Sequence, residues 1–168
     1  SGIPRTAPLT AISLTMLLTT IPCATMLTLS DVEPLAVVSG LAVSAWARFC
    51  SGKLTVDGNK VRGLIDKVVP QVDFAFYAAA LRKLIGLAKS IGLVPDGIPN
   101  TISLVRDTDQ AWFDLMEHHD VEFEEGADSL RGLGYARAIL KLDIEQGQQV
   151  VDFDDQLYLP VIYRARFW

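Results

Sequence analysis

The chain has 168 residues, half of them hydrophobic, and a formal net charge of −5, which fits one domain, or a domain with a tail, around a sizeable core. The charge is uneven: residues 1–50 balance, residues 51–100 carry seven basic against four acidic groups, and residues 101–168 carry six basic against fourteen acidic groups. So acidic a C-terminal part repels a phosphate backbone and argues against strong nucleic-acid binding by this chain alone, leaving the basic middle third as the candidate surface.

Residues 6–30, TAPLTAISLTMLLTTIPCATMLTLS, contain no charge. Their length fits a membrane span, and Arg5 before them resembles the start of a signal peptide. The many threonines, Pro22 and the lack of a small-x-small site after Cys23 point instead to a buried apolar segment. The sharp contrast in composition between residues 1–40 and the rest of the chain also fits sequence from another reading frame. Cys23 and Cys50 make neither a disulfide framework nor a zinc pattern, so a reduced, cytoplasmic setting is the default. The start on Ser1 and the end on Phe167-Trp168 read as cuts of a longer chain.

From Pro34 on, helical signals dominate. Leu35, Val38, Leu41, Ala42, Ala45, Trp46 and Phe49 recur at helical spacing, and Ser51-Gly52 ends that helix. Leu54-Thr55-Val56 is a short extended link. Asp57 is placed to cap a helix whose stripe is Val61, Leu64, Ile65 and Val68, closed by Pro70. Asp73 starts a longer helix with Phe74, Tyr77, Leu81, Leu84, Ile85, Ala88 and Ile91 on one face; Arg82, Lys83 and Lys89 are expected at or beyond its solvent edge. Residues 95–100, PDGIPN, form a loop by their turn chemistry. Asp107 or Thr108 caps a helix with Trp112, Leu115 and Met116 inward. After the acidic connector 122–129, Asp128 or Ser129 starts a helix through Leu130, Leu133, Arg137, Leu140, Lys141 and Ile144 that ends at Gly147. The expected fold class is mainly α.

Candidate chemistry is sparse. Ser51-Gly52-Lys53 fails as a phosphate-binding loop, because Ala47 stands where the motif needs Gly and Leu54 where it needs Ser or Thr. Glu117-His118-His119-Asp120 offers metal-capable groups, but adjacent histidines on a helix point about 100° apart and cannot share an ion. No Ser-His-Asp or Cys-His arrangement can be assembled. No catalytic residue and no metal site is assigned.

The stretch VVDFDDQLYLPV, residues 150–161, crowds three aspartates together. Asp152 suits an N-cap, and Asp155 three positions on can reach back to its amide, as in a capping box. Asp154 and Asp155 complement a helix N-terminus. Phe153 and Leu157, four apart, can pack together, and Pro160 should kink or shorten the helix. Capping thus accounts for every aspartate without catalysis.

Asp152-Phe153-Asp154-Asp155, followed by the apolar Gln156–Val161 run and Arg164-Ala165-Arg166-Phe167-Trp168, resembles the DFDD segment of UvrD/Rep-like superfamily 1 DNA helicases, phage-type members especially. Residues 41–64, LAVSAWARFCSGKLTVDGNKVRGL, resemble the stretch that enters their helical accessory subdomain, 1B. The resemblance covers residues 41–168. It implies a helical accessory subdomain of a RecA-like α/β parent that hydrolyses ATP with Mg2+ and moves along single-stranded or duplex-junction DNA. The chain lacks the Walker A Gly-Lys-Ser/Thr, and the resemblance puts the Walker B strand beyond Trp168, so this chain is expected to hold no cofactor of its own. Residues 37–40 do not supply the Thr-Phe-His motif of these helicases, which sets residues 1–40 apart from the accessory segment 41–168. Candidate nucleic-acid contacts are Lys53, Lys60, Arg62, Arg82, Lys83 and Lys89, and Asp152, Phe153, Asp154 and Asp155 are expected to be structural. The alternative expectation is a small helical membrane-anchored or secreted interaction protein, carried by residues 6–30; a stable membrane partner is the less favoured of the two.

Overall fold

The computed structural model describes residues 46–47, 50 and 53–165. The expectations for residues 1–40, for most of the helix around Trp46, for Ser51-Gly52 and for Arg166–Trp168 lie outside the described residues. Within them, two short strands and five helices run in the order β1 (Thr55–Val56), α1 (Lys60–Val68), α2 (Phe74–Ser90), α3 (Asp109–His118), α4 (Ser129–Gln146), β2 (Val150–Val151) and α5 (Asp155–Ile162). The mainly α expectation holds.

The long helices α2 and α4 pack against each other. Helix α1 packs on both, α3 also touches both, and α5 lies against α2. The stripes read from the sequence are the ones that meet: Leu64 and Ile65, then Tyr77, Leu81, Leu84, Ile85 and Ala88, then Trp112, Leu115 and Met116, then Leu133, Leu140 and Ile144 are all buried. Leu130, expected on the α4 stripe, is exposed instead. Trp46 is fully buried and donates from Nε1 to the Gly147 carbonyl at 2.7 Å, just past the end of α4.

Helix ends are fixed by specific bonds. Asp57 does not cap α1. Its carboxylate accepts from the Asn59 amide at 2.9 Å in a turn, and the helix starts at Lys60. Asp73 stands at the start of α2 as expected; its side chain accepts from the Tyr135 hydroxyl at 2.7 Å and makes no capping bond. The end of α2 is a Schellman motif: Leu93 N donates to Ala88 O and Gly92 N to Lys89 O, each at 3.0 Å, with Gly92 at φ +69°. Thr108 caps α3 and Asp128 caps α4.

Between α2 and α3, Leu104 N donates to Gly92 O and Ile102 N to Ile162 O. A second fixed point is Asp107, whose carboxylate accepts from Trp112 Nε1 and Arg137 Nε, both at 2.8 Å. Burial raises the Asp107 pKa, but these donors and the Asp96 amide outweigh it and hold the carboxyl below its ordinary value.

The two strands are parallel, with Thr55 opposite Val150 and Val56 opposite Val151. Residues far apart in sequence are thus joined directly, and the start of α1 is laid beside the segment that leads into α5. That juxtaposition brings charged residues from both ends of the described chain together inside the molecule.

Candidate functional site: a buried lysine–aspartate cluster

Four elements each end or begin at one point inside the molecule. Lys60 is the first residue of α1, Lys89 lies in the last turn of α2, Asp143 lies in the last turn of α4, and Asp152 and Asp155 open α5. All five side chains are buried, with relative exposures of 0–6%. Ionisable residues are rarely buried unless paired, and here every one is paired.

Lys89 Nζ lies 2.6 Å from Asp152 Oδ2, 2.7 Å from Asp155 Oδ1 and 2.9 Å from Asp143 Oδ2. Lys60 Nζ lies 2.6 Å from Asp155 Oδ2 and 3.1 Å from Asp143 Oδ1, and donates to the Asp143 carbonyl at 2.8 Å. That last bond satisfies one of the carbonyls left open at the C-terminus of α4. The Asp143 side-chain oxygens accept no well-angled hydrogen bond and are held by charge contact with the two ammonium groups.

The DFDD segment supplies the other half. Asp155 N donates to Asp152 Oδ1 at 2.8 Å, and Asp152 N donates to Asp155 Oδ2 at 3.1 Å. This is the reciprocal pairing of a capping box. It is formed as expected, although regular helix starts only at Asp155 and Asp154 makes no capping bond. The same carboxylates that cap α5 also take up the two lysines. Phe153 and Leu157 are both exposed. Pro160 lies inside α5, two residues before its end.

Three carboxylates face two ammonium groups, which leaves one negative charge in excess if all ionise. Burial penalises that excess, and a proton is the available remedy. Asp143 carries it. Burial first, and then the neighbouring Asp155, push its pKa up to about 7, against the opposing pull of Lys89 and Lys60. Asp155 is shifted the other way: burial acts to raise its pKa, but Lys89 and Lys60 hold it below its ordinary value. Burial acts against the Lys89 charge, yet Asp143, Asp155 and Asp152 together raise its pKa.

One oxygen each from Asp143, Asp152 and Asp155 lies within 4.8 Å of the others, a spacing that could embrace a cation. The lysine ammonium groups already supply positive charge there. Chemically the arrangement is an internal salt: every carboxylate has a lysine against it, and both lysine side chains are out of solvent. It holds four elements together and offers no open coordination or reaction position.

Sequence reasoning placed Lys60 and Lys89 on a basic, solvent-facing surface. The structure corrects this: both ammonium groups are buried and bound to carboxylates. Lys53, Arg62, Arg82 and Lys83 do lie on the surface, and Lys83 donates to the His119 carbonyl at 2.7 Å. The rings of His118 and His119 stand perpendicular, with centroids 4.8 Å apart. Asp143 was not singled out as a site residue, nor was the burial of the two lysines. The available signal was register: Lys89 continues the Leu81–Ile85 row at four-residue spacing, and Asp143 continues the Ala136–Ile139 row.

No protein-family model, curated protein or solved structure matches the chain. Among the described residues, no helix is long and apolar enough to cross a membrane.

Proposed function

We propose that the chain is the helical accessory segment of a UvrD/Rep-like DNA helicase, contributing to DNA engagement in a cytoplasmic, ATP-driven parent and not hydrolysing ATP by itself. The observation that supports this reading is the use made of the DFDD aspartates. Asp152 and Asp155 are committed to a capping box and to two buried lysines, which agrees with the structural role that the resemblance gives this motif.

With Lys60 and Lys89 buried, contacts to a DNA backbone fall to Lys53, Arg62, Arg82 and Lys83. Arg82 and Lys83 are adjacent on α2 and both exposed. Fluorescence anisotropy with labelled single-stranded and forked DNA tests this. The expected result is weak binding that falls steeply with salt and that drops further in an Arg82→Gln/Lys83→Gln variant. Binding that ignores both salt and these substitutions, or ATP hydrolysis by the purified chain, would overturn the reading.

A further inference from the structure

Beside the cluster, the outer face of α5 and the C-terminal part of α2 enclose an open groove of about 370 Å3. Phe153 stands in the turn that precedes α5, and Leu157 and Val161, four residues apart, fall on one face of that helix. Together with Leu104 they line the groove, and they are 72%, 49%, 41% and 61% exposed, respectively. Apolar side chains gathered on one exposed surface in this way mark a site of interaction.

Asp154 stands among them. Its side chain makes no capping bond, and its Oδ2 sits over Gly86, where an added Cβ would lie 3.4 Å away. Burial first, then Asp152 and Asp155, raise its pKa. Lys89 offsets this in part, but its ammonium group is already bound by three other carboxylates. Asp154 is exposed, so water solvates it in the free chain; a partner that covers the groove removes that water and must replace it with a cation or a donor. An occupant without charge, such as residues 6–30, would cover the apolar wall and leave Asp154 unpaired.

We infer that this groove docks a basic amphipathic segment of a protein partner, its apolar side chains on Leu104, Phe153, Leu157 and Val161 and a Lys or Arg pairing with Asp154. Arg82, one of the exposed cations assigned to DNA, lies one helical turn from Gly86 on α2; the inference uses none of those cations and stands or falls independently of the helicase reading.

The test uses the full chain and labelled helical peptides carrying a leucine stripe flanked either by arginines or by glutamates. The arginine peptide should bind about tenfold tighter than the glutamate peptide, equivalent to about 1.4 kcal/mol. Asp154→Asn should remove most of that preference, and Leu157→Ser should abolish binding. The control is Glu122→Gln/Glu124→Gln on the acidic connector, where Glu124 N bonds the Phe76 carbonyl, about 15 Å along α2 from Gly86. This control should leave affinity unchanged. An equal loss in the control and in Asp154→Asn would reduce the effect to general charge attraction and overturn the inference. So would a concentration-dependent dimer in sedimentation that Leu157→Ser dissolves, because the face would then belong to a second copy. Both test positions are exposed, and matched thermal melting confirms that the variants fold; if Leu157→Ser melts early, Val161→Ser replaces it.

Discussion

Lys89 is where most of the buried charge converges, with three carboxylates within 2.9 Å of its ammonium group. Removing one partner of a buried ionic network leaves its counter-charges stranded, which typically costs about 3–5 kcal/mol. Lys89→Met should therefore lower stability by about that amount in urea unfolding, whereas Lys53→Met, on an exposed side chain, should change it by less than about 0.5 kcal/mol. Asp143 makes a separate prediction in pH. Unfolded, it ionises near pH ~4; folded, it does so at about 7. Between these values the folded chain holds a proton that the unfolded chain has released, so this group makes stability fall as pH rises through that window and level off above it. Asp155 acts oppositely: its lowered pKa gives stability that is present above about pH 4 and is lost on further acidification. Thermal melting from about pH 4.5 to 8 should show the decline, and Asp143→Asn should flatten it whatever absolute stability that variant retains. A wild-type profile already flat in this range would mean that the cluster keeps no proton.

At the scale of the element, the ends matter more than the middles. Asp128 Oδ1 accepts from the Leu130 and Arg131 amides at the start of α4, so Asp128→Ala should cost about 1 kcal/mol. Gly92 closes α2 at φ +69°, where an added Cβ would come within 2.7 Å of Leu104. Gly92→Ala should cost at least the roughly 1–2 kcal/mol of a left-handed residue. Both are read by chemical denaturation. The stripes of α1 to α4 were legible because each is a local pattern, and so were Thr108, Asp128 and the Asp152–Asp155 box, whose partners lie within three residues. Lys60, Lys89 and Asp143 were not. Lys60 finds its partners 83 and 95 residues away, and a charged side chain in apolar register looks like the edge of a stripe until its counter-charge is known. Asp57 misled for the opposite reason: it is well spaced for a cap, but the turn at Asn59 claims its carboxylate.

Across the whole molecule, the buried salt joins α1, α2, α4 and α5 at one end, while Arg137 and Asp107 join α4 to the start of α3. Among the described residues, each of α1 to α5 is tied to another through these charges. The described unit should therefore unfold in one transition, with tryptophan fluorescence and far-UV circular dichroism coinciding; separated midpoints would show that α5 detaches on its own.

The parallel pair β1–β2 carries a consequence for how the fold is made. During synthesis the segment through α3 emerges first, with Lys60 and Lys89 both inside what will become the core and neither of their counter-ions yet translated. Before residues 143–155 are made, burying those two lysines would leave their charges without the carboxylates that hold them. Arrival of Val150 and Val151 beside Thr55 and Val56 then delivers Asp152 and Asp155 to the waiting lysines. The stretch from Asp143 to Asp155 therefore supplies every carboxylate that those two lysines contact.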